Sequence, residues 1–326
     1  MARSNSSRDF RRFALSILLA AAGVHTAGAQ PIEGCPSSKE IMARFDDFGR
    51  TGKMPPDLGR WLGDAKAQAV EPWKPFDNVY FVGVCWVSAW AIRTNDGVVL
   101  IDTLHEPHVD GLIANLGKVG IALSDIKYVL MTHGHFDHVG GAAKLKPLLT
   151  NAKFVMTQIG WDEAIESARA SESTPRRWSM IAQEVVAKDG DAIRLGENSF
   201  GVLDTPGHTL GTASYVFDVK DGAATRRAIT VGGLGLNAIK DSKQVEAYIA
   251  SMDRISALVK QGSQPLTVHL TTHPFAFNLM EARDRLAARK AGEPNPLVDP
   301  EDLLKQLAGL RSGAVERLEI ERKAGR

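Results

Sequence analysis

The sequence predicts an α/β fold in which two mixed sheets are each backed by helices. Three observations predict it. Closely spaced β-branched runs open the domain as a meander, strands then alternate with helical spacings, and the same theme returns in the second half. No fixed-period repeat argues for a solenoid.

Taken in order, residues 30–72 read as an N-terminal arm, with a helix at Lys39–Phe48 and Pro/Gly punctuation at Gly52, Pro55, Pro56 and Gly59. The domain proper runs over 73–326. Val79–Val84, Val87–Arg93 and Val98–Asp102 read as strands, the last two joined by the hairpin turn Asn95-Asp96-Gly97. Pro107–Val119 has its apolar residues at helical spacing, and Ile126–Met131 is the next strand. Val139–Leu149 is read as a helix, Lys153–Thr157 as a strand, Gly160–Ala170 as a helix and Ser171–Arg177 as an exposed loop. Strands follow at Ala192–Leu195, Phe200–Asp204, Ala213–Asp218 and Ala228–Val231, then a helix at Gln244–Lys260 and the strand Leu266–Thr272. Helices at Asn278–Lys290 and Pro300–Lys323 close the chain, the last with an apolar stripe from Leu303 to Leu318 that suits core packing.

Composition is that of an ordinary globular protein, with 24% charged residues and a formal net charge of +1. The first 29 residues read differently. Arg3, Arg8, Arg11 and Arg12 precede a short apolar run, Phe13–Ala22, and Ala27-Gly28-Ala29 offers a cleavage point before Gln30. That is the pattern of a secretory signal peptide; an uncleaved anchor is the alternative, although the run is short for a membrane span. Arg11-Arg12-Phe13 also resembles a twin-arginine signal. Removing 1–29 takes away four Arg and one Asp, so the charge falls to −2, and nothing suggests a nucleic-acid partner. The expected setting is periplasmic or secreted, with no membrane association after cleavage. The two cysteines, Cys35 and Cys85, can pair in such a compartment, but Cys85 lies in an apolar strand, where a buried free thiol is the expectation.

The chemistry concentrates in Thr132-His133-Gly134-His135-Phe136-Asp137-His138, on a loop between a strand and a helix. His133 and His135 are two apart and point the same way from an extended segment, while Asp137 and His138, past a bend, can face a second cation. Burying three imidazoles and a carboxylate without a metal would be costly. Two further histidines end strands beside turns: His208 after Thr205-Pro206-Gly207, and His273 before Pro274. His269 lies four residues down its strand, roughly 13 Å away, and is read as core or as support for the site. His105 and His108 read as solvated loop residues, with the mouth of the site as the alternative.

These residues resemble the metallo-β-lactamase superfamily, whose motifs occur here in order over about Val79 to Leu318: the strand-end Asp102, the H-x-H-x-D-H loop, the T-P-G-H-T turn and the late His273. The late His-Pro and the Asn295–Asp299 turn look most like its subclass B3 β-lactamases. The resemblance implies an αββα sandwich. It also implies two Zn²⁺, one on His133, His135 and His208 and the other on Asp137, His138 and His273. Asp137 would orient the attacking hydroxide and pass its proton, and Asp102 would steady the metal loop.

Departures matter too. Where the subclass carries a serine-containing substrate loop, this chain has Thr230-Val231-Gly232-Gly233-Leu234-Gly235-Leu236-Asn237. The glycines permit close backbone approach, and Asn237 is a candidate substrate contact or a turn residue. The bridging Asp of other superfamily hydrolases is absent from the segment. Trp86, Trp90, Trp161 and Trp178 are candidates for an aromatic pocket wall, with core packing as the default.

The leading expectation is therefore an exported, zinc-dependent hydrolase opening the amide of a small-molecule β-lactam. The runner-up keeps fold and metals but hydrolyses a lactone, an ester or a halogenated aromatic. A non-catalytic metal protein is disfavoured by the Asp in the ligand set, and a flavodiiron-like redox role by the lack of a flavin domain.

Overall fold

A computed structural model describes residues 32–51, 53–260 and 265–325. The segment read as a signal peptide lies outside the described residues. The arm forms helices α1 (Ser38–Thr51) and α2 (Pro56–Leu62), the second started by Pro56 in its first turn.

Seven strands form the first sheet, in chain order across it: β1 (Trp73–Phe76), β2 (Val79–Phe81), β3 (Trp90–Thr94), β4 (Gly97–Ile101), β5 (Ile126–Leu130), β6 (Lys153–Thr157) and β7 (Val185–Ala187). The first four pair antiparallel and the last four parallel. A parallel centre must be covered on both faces. Accordingly, Val98 to Ile101 of β4 and Phe154 to Thr157 of β6 are buried without alternation. The crossovers are α3 (Val109–Lys118) between β4 and β5, then α4 (Phe136–Val139) and α5 (Ala142–Leu145) after β5, and α6 (Gln158–Ser171) after β6.

The second sheet has the order β12-β11-β10-β9-β8, from β8 (Ala192–Leu195), β9 (Asn198–Asp204), β10 (Ala213–Asp221), β11 (Ala224–Thr230) and β12 (Leu266–His269). Only its β11–β12 pair is parallel. Helix α7 (Ser242–Lys260) turns Val245, Tyr248, Met252, Ile255 and Val259 inward, the i, i+3, i+4 stripe of an amphipathic helix. Leu303 and Leu307 of α9 (Pro300–Lys323) join that cluster, and the Asp299 carboxylate caps α9 by accepting from the Asp302 N–H at 2.8 Å. Helix α8 (Leu279–Ala287) precedes it. Two mixed sheets with helices on their outer faces are the predicted architecture.

Several expectations change. Cys35 and Cys85 form a disulfide, Cα to Cα 5.4 Å, so Cys85 is not a free thiol; the arm folds back onto the 82–89 hairpin tip and brings Cys35 within reach. The helix expected at Val139–Leu149 is shorter, α5 at Ala142–Leu145, and Gly140 and Gly141 separate it from α4, which begins earlier at Phe136. The strand expected to reach Thr272 ends at His269, and β1, β7 and α2 were not anticipated. His105 and His108 are not solvated. Both rings are buried, and His108 Nε2 lies 2.9 Å from the Leu62 carbonyl at the end of α2.

Candidate metal centre

The centre sits where β4, β5, β9 and β12 stop and their following loops meet. Asp102, one residue past β4, adopts a left-handed backbone with φ +61° and is buried. Its carboxylate accepts from the Thr132 N–H at 2.8 Å, the Thr132 hydroxyl at 3.0 Å and His138 Nδ1–H at 2.8 Å. One carboxylate thus fixes both ends of the His133–His138 loop. The Tyr215 hydroxyl adds a bond to the Met131 carbonyl, 2.8 Å, from the second sheet.

The six residues expected around two ions are gathered into two groups, His133, His135 and His208, and Asp137, His138 and His273, with ligand atoms within 4.8 Å inside each group. Ring orientation is set from outside. Thr132 Oγ1 donates to Asp102 and accepts from His133 Nδ1–H at 3.1 Å, so His133 presents Nε2, a buried nitrogen without a protein partner. His208 Nδ1–H donates to the Gly235 carbonyl and His273 Nδ1–H to the Trp86 carbonyl, both at 2.6 Å. Their Nε2 lone pairs therefore point inward. His208 Nε2 lies 3.0 Å from His135 Nδ1, and His273 Nε2 lies 3.2 Å from His138 Nε2. Lone pairs at that separation repel unless a cation lies between them. Two nitrogens bonded to one tetrahedral zinc at about 2.0–2.1 Å stand about 3.3 Å apart. The residues present fit metal ions, and nitrogen donors with one carboxylate suit zinc and its first-row neighbours.

Electrostatics divide the groups. Burial, then neighbouring imidazoles, pushes His133 well below the usual histidine range and His208 down to about 3; burial also lowers His135. Burial and His138 hold His273 at about 4. Burial opposes a charge on His138 as well, but the Asp137 and Asp102 carboxylates reverse the balance and raise it to about 10. Asp137 is the mirror case: burial would raise it, yet His138 and then His273 hold it ionised far below the carboxylate range.

Parts of the support carry no sequence signature. Gln244 Nε2 of α7 donates to the Gly207 and His208 carbonyls at 2.9 and 3.3 Å, and the Glu163 carboxylate of α6 accepts from the N–H groups of Leu210 and Gly211 at 3.0 and 3.1 Å. Gly207, at φ +143°, passes so near Tyr248 that a Cβ would lie 2.4 Å from its Cα. A Cβ on Gly233 would lie 2.3 Å from His208 Cβ, so this position of the loop requires glycine. Asn237 is exposed at the rim, its Oδ1 toward Gly235, outside both ligand groups. Trp86 and Trp178 line a cavity beside the centre, whereas Trp90 and Trp161 are core. His269 lies away from the centre, its Nδ1 2.7 Å from Gln306 Oε1.

The family model for the metallo-β-lactamase superfamily matches residues 82–225, the stretch carrying Asp102, the histidine loop and His208. Over that stretch the chain is similar to the metallo-β-lactamase superfamily. Among solved structures, BJP-1, a subclass B3 metallo-β-lactamase of Bradyrhizobium japonicum, superposes with TM-score 0.68 at 26% identity, over 79% of this chain and 97% of that one. Native FEZ-1 from Legionella gormanii gives TM-score 0.70 at 23% identity, over 78% and 98%, a likeness of fold. Among curated proteins, a hydroxyacylglutathione hydrolase of Rhodopseudomonas palustris is 36% identical over 137 residues, 42% of this chain and 45% of that protein. The chain spans about half the length of the curated relatives it matches. The chain thus resembles a subclass B3 enzyme in fold over 79% of its length and hydroxyacylglutathione hydrolases over 42% of its sequence.

Proposed function

We propose that this protein is a metal-dependent hydrolase that opens the amide of a β-lactam. The observation that carries the reading is the second ligand group: His273 completes Asp137 and His138, and neither group holds a further carboxylate that would bridge two ions. His133, His135 and His208 would hold one ion and Asp137, His138 and His273 the other, with zinc as the expected metal. When bound, such ions lower the pKa of water and polarise a carbonyl.

The chain's own groups do the rest. Asp137, held ionised, takes the proton from the attacking water as the oxygen–carbon bond forms, and returns it to the ring nitrogen as the carbon–nitrogen bond breaks. Asp102 keeps Nδ1 of His138 protonated and thereby leaves Nε2 free as a donor atom. Asn237, at the rim, is a candidate contact for the substrate's polar groups.

The test is hydrolysis of a chromogenic cephalosporin and a carbapenem by purified, zinc-loaded protein, with and without chelator. Chelator-sensitive turnover at roughly 10⁴ M⁻¹s⁻¹ or more supports the reading. A second reading, hydrolysis of an ester or thioester, is favoured by the hydroxyacylglutathione hydrolase relatives. Turnover of those substrates with none of penicillins or carbapenems would establish it in place of the first.

Export belongs to the same proposal. The disulfide supports it, since such bonds persist in oxidising compartments. A protein recovered from the periplasm and beginning at Gln30 is the expected result; the intact N-terminus in the cytoplasm would refute it.

A further inference from the structure

Beside the metal centre lies a cavity of about 730 Å³ that the proposed chemistry does not use. Trp86 and Phe136 form the wall it shares with the centre: the Trp86 carbonyl holds His273, Phe136 sits between His135 and Asp137 in the chain, and their rings lie 6.5 Å apart. Trp178, Arg176 and Arg177, from the loop after α6, line another side, and Gly59 and Leu62 of α2 a third. An aromatic enclosure with a few charged groups is the usual make-up of a small-molecule site.

Two lining residues carry an unsatisfied buried polar atom, the donor Trp86 Nε1 and the acceptor His105 Nε2. His105 is 8% exposed, and its Nδ1–H donates to the Glu106 carbonyl at 2.6 Å, which leaves Nε2 as a lone pair. That nitrogen is buried and meets no hydrogen-bond donor. Burial also keeps the ring neutral, pushing its pKa down to about 4. An orphaned buried acceptor costs free energy that a ligand's N–H or O–H would recover.

The charges are also unequal. Lys144 is engaged by Glu106 at 3.0 Å and Asp110 at 2.8 Å. Arg176 and Arg177 are exposed and, among the described residues, enter no ion pair or side-chain hydrogen bond. Glu172 is the remaining carboxylate in the lining, so two free guanidinium groups face one acid. A planar fork of donors suits a carboxylate.

We propose that this cavity is the specificity subsite for a substrate arm made of an aryl group bearing a carboxylate and an amide N–H. The carboxylate meets Arg176 and Arg177, the aryl ring packs among Trp86, Phe136 and Trp178, and the N–H donates to His105 Nε2. The inference rests on the amide-hydrolase reading only for what the arm is attached to.

Phenylmalonamic acid carries the ring, the carboxylate and the amide N–H but no scissile lactam, and it is the probe. Its binding to the full-length protein is followed by tryptophan fluorescence, since Trp86 and Trp178 line the cavity. Saturable binding is expected, at least fivefold weaker for phenylacetamide, which lacks the carboxylate, and at least fivefold weaker in the R176A/R177A variant, whose substitutions are on the surface. His105→Phe should weaken the probe, and His105→Gln, which returns an acceptor to similar reach, should restore it. Equal affinity for the two probes, or unchanged affinity in R176A/R177A, overturns the proposal. In kinetics, the ratio of kcat/KM for an α-carboxybenzyl penicillin to that for benzylpenicillin should fall about fivefold in the same variant. Probe binding as expected with neither penicillin turned over would sink the amide reading and leave the subsite. Turnover of both penicillins with no probe binding would do the reverse.

Discussion

The two ligand groups are built from the same residue type yet sit in opposite fields. Around His133, His135 and His208 there is no carboxylate in the ligand set, and burial, reinforced at His133 and His208 by neighbouring imidazoles, lowers the rings' pKa values. Around His138, the Asp137 and Asp102 carboxylates outweigh a burial that is just as complete and raise the ring's pKa. His273, 3.7 Å from Asp137, still stays at about 4 through burial, so the raised value is confined to His138, which two carboxylates reach. The groups also differ in mechanical support. The first hangs on backbone carbonyls and a glycine loop, the second on a carboxylate and on the hairpin that the disulfide pins.

Substitutions can break this contrast, and the largest effect is expected from Asp137→Ala. It removes both the ionised group and a ligand, so kcat/KM should fall at least about 10³-fold, with metal content dropping from two ions toward one. Elemental analysis alongside kinetics checks it, and full activity with two bound ions would remove Asp137 from the mechanism. Asp102→Asn should come next, at about 10- to 100-fold in activity or metal affinity, the range for partners that orient a ligand. Competition with a chromophoric chelator should show the weakened site to be the one containing His138; equal loss at both sites would mean that Asp102 acts on the whole loop.

Gly233→Ala sharpens the contrast from the other side. The new methyl group would displace His208 and cost about 1–3 kcal/mol of stability. It should weaken the first site about tenfold and spare the second, as read by stepwise metal titration. The smallest effect on activity, about threefold, is expected from Cys35→Ser. Its urea midpoint should nonetheless fall by an amount equivalent to about 2–4 kcal/mol, because a loop spanning 50 residues is no longer closed. A midpoint equal to that of the parent would show that the arm docks without the bond.

Legibility followed distance along the chain. The His133–His138 loop and Thr205–His208 announced themselves because their ligands are spaced by local backbone geometry, and His273 because Pro274 stops the chain beside it. Trp86 and Gly235 did not, since they serve through carbonyl oxygens that every residue carries. Gln244 and Glu163 belong to helices whose docking is a tertiary event. The burial of His105 and His108 depends on α2 lying over them, and the disulfide depends on the same folding back of the arm, so both were read as if the loops stood alone. The sheets were legible from alternation and apolar runs, apart from the four-residue β1, which contains Pro75, and the three-residue β7, too short for a period to register.

The arm's first helix makes one more contact that matters. Phe45 stacks on Phe275 at 4.8 Å, and Ser38 donates from both its N–H and its hydroxyl to Glu281, at 2.8 and 2.7 Å. His273 is thus held between a segment from the start of the chain and one from its end. Chain closure over such separations is slow compared with local structure. The surroundings of His273 join residues 38–45 to residues 275–281, whereas His133, His135 and His208 draw their support from residues 102–248. The two groups thus differ in how much of the chain they tie together: a cut between the arm and the domain would touch the surroundings of His273 and leave those of His133, His135 and His208 in one piece.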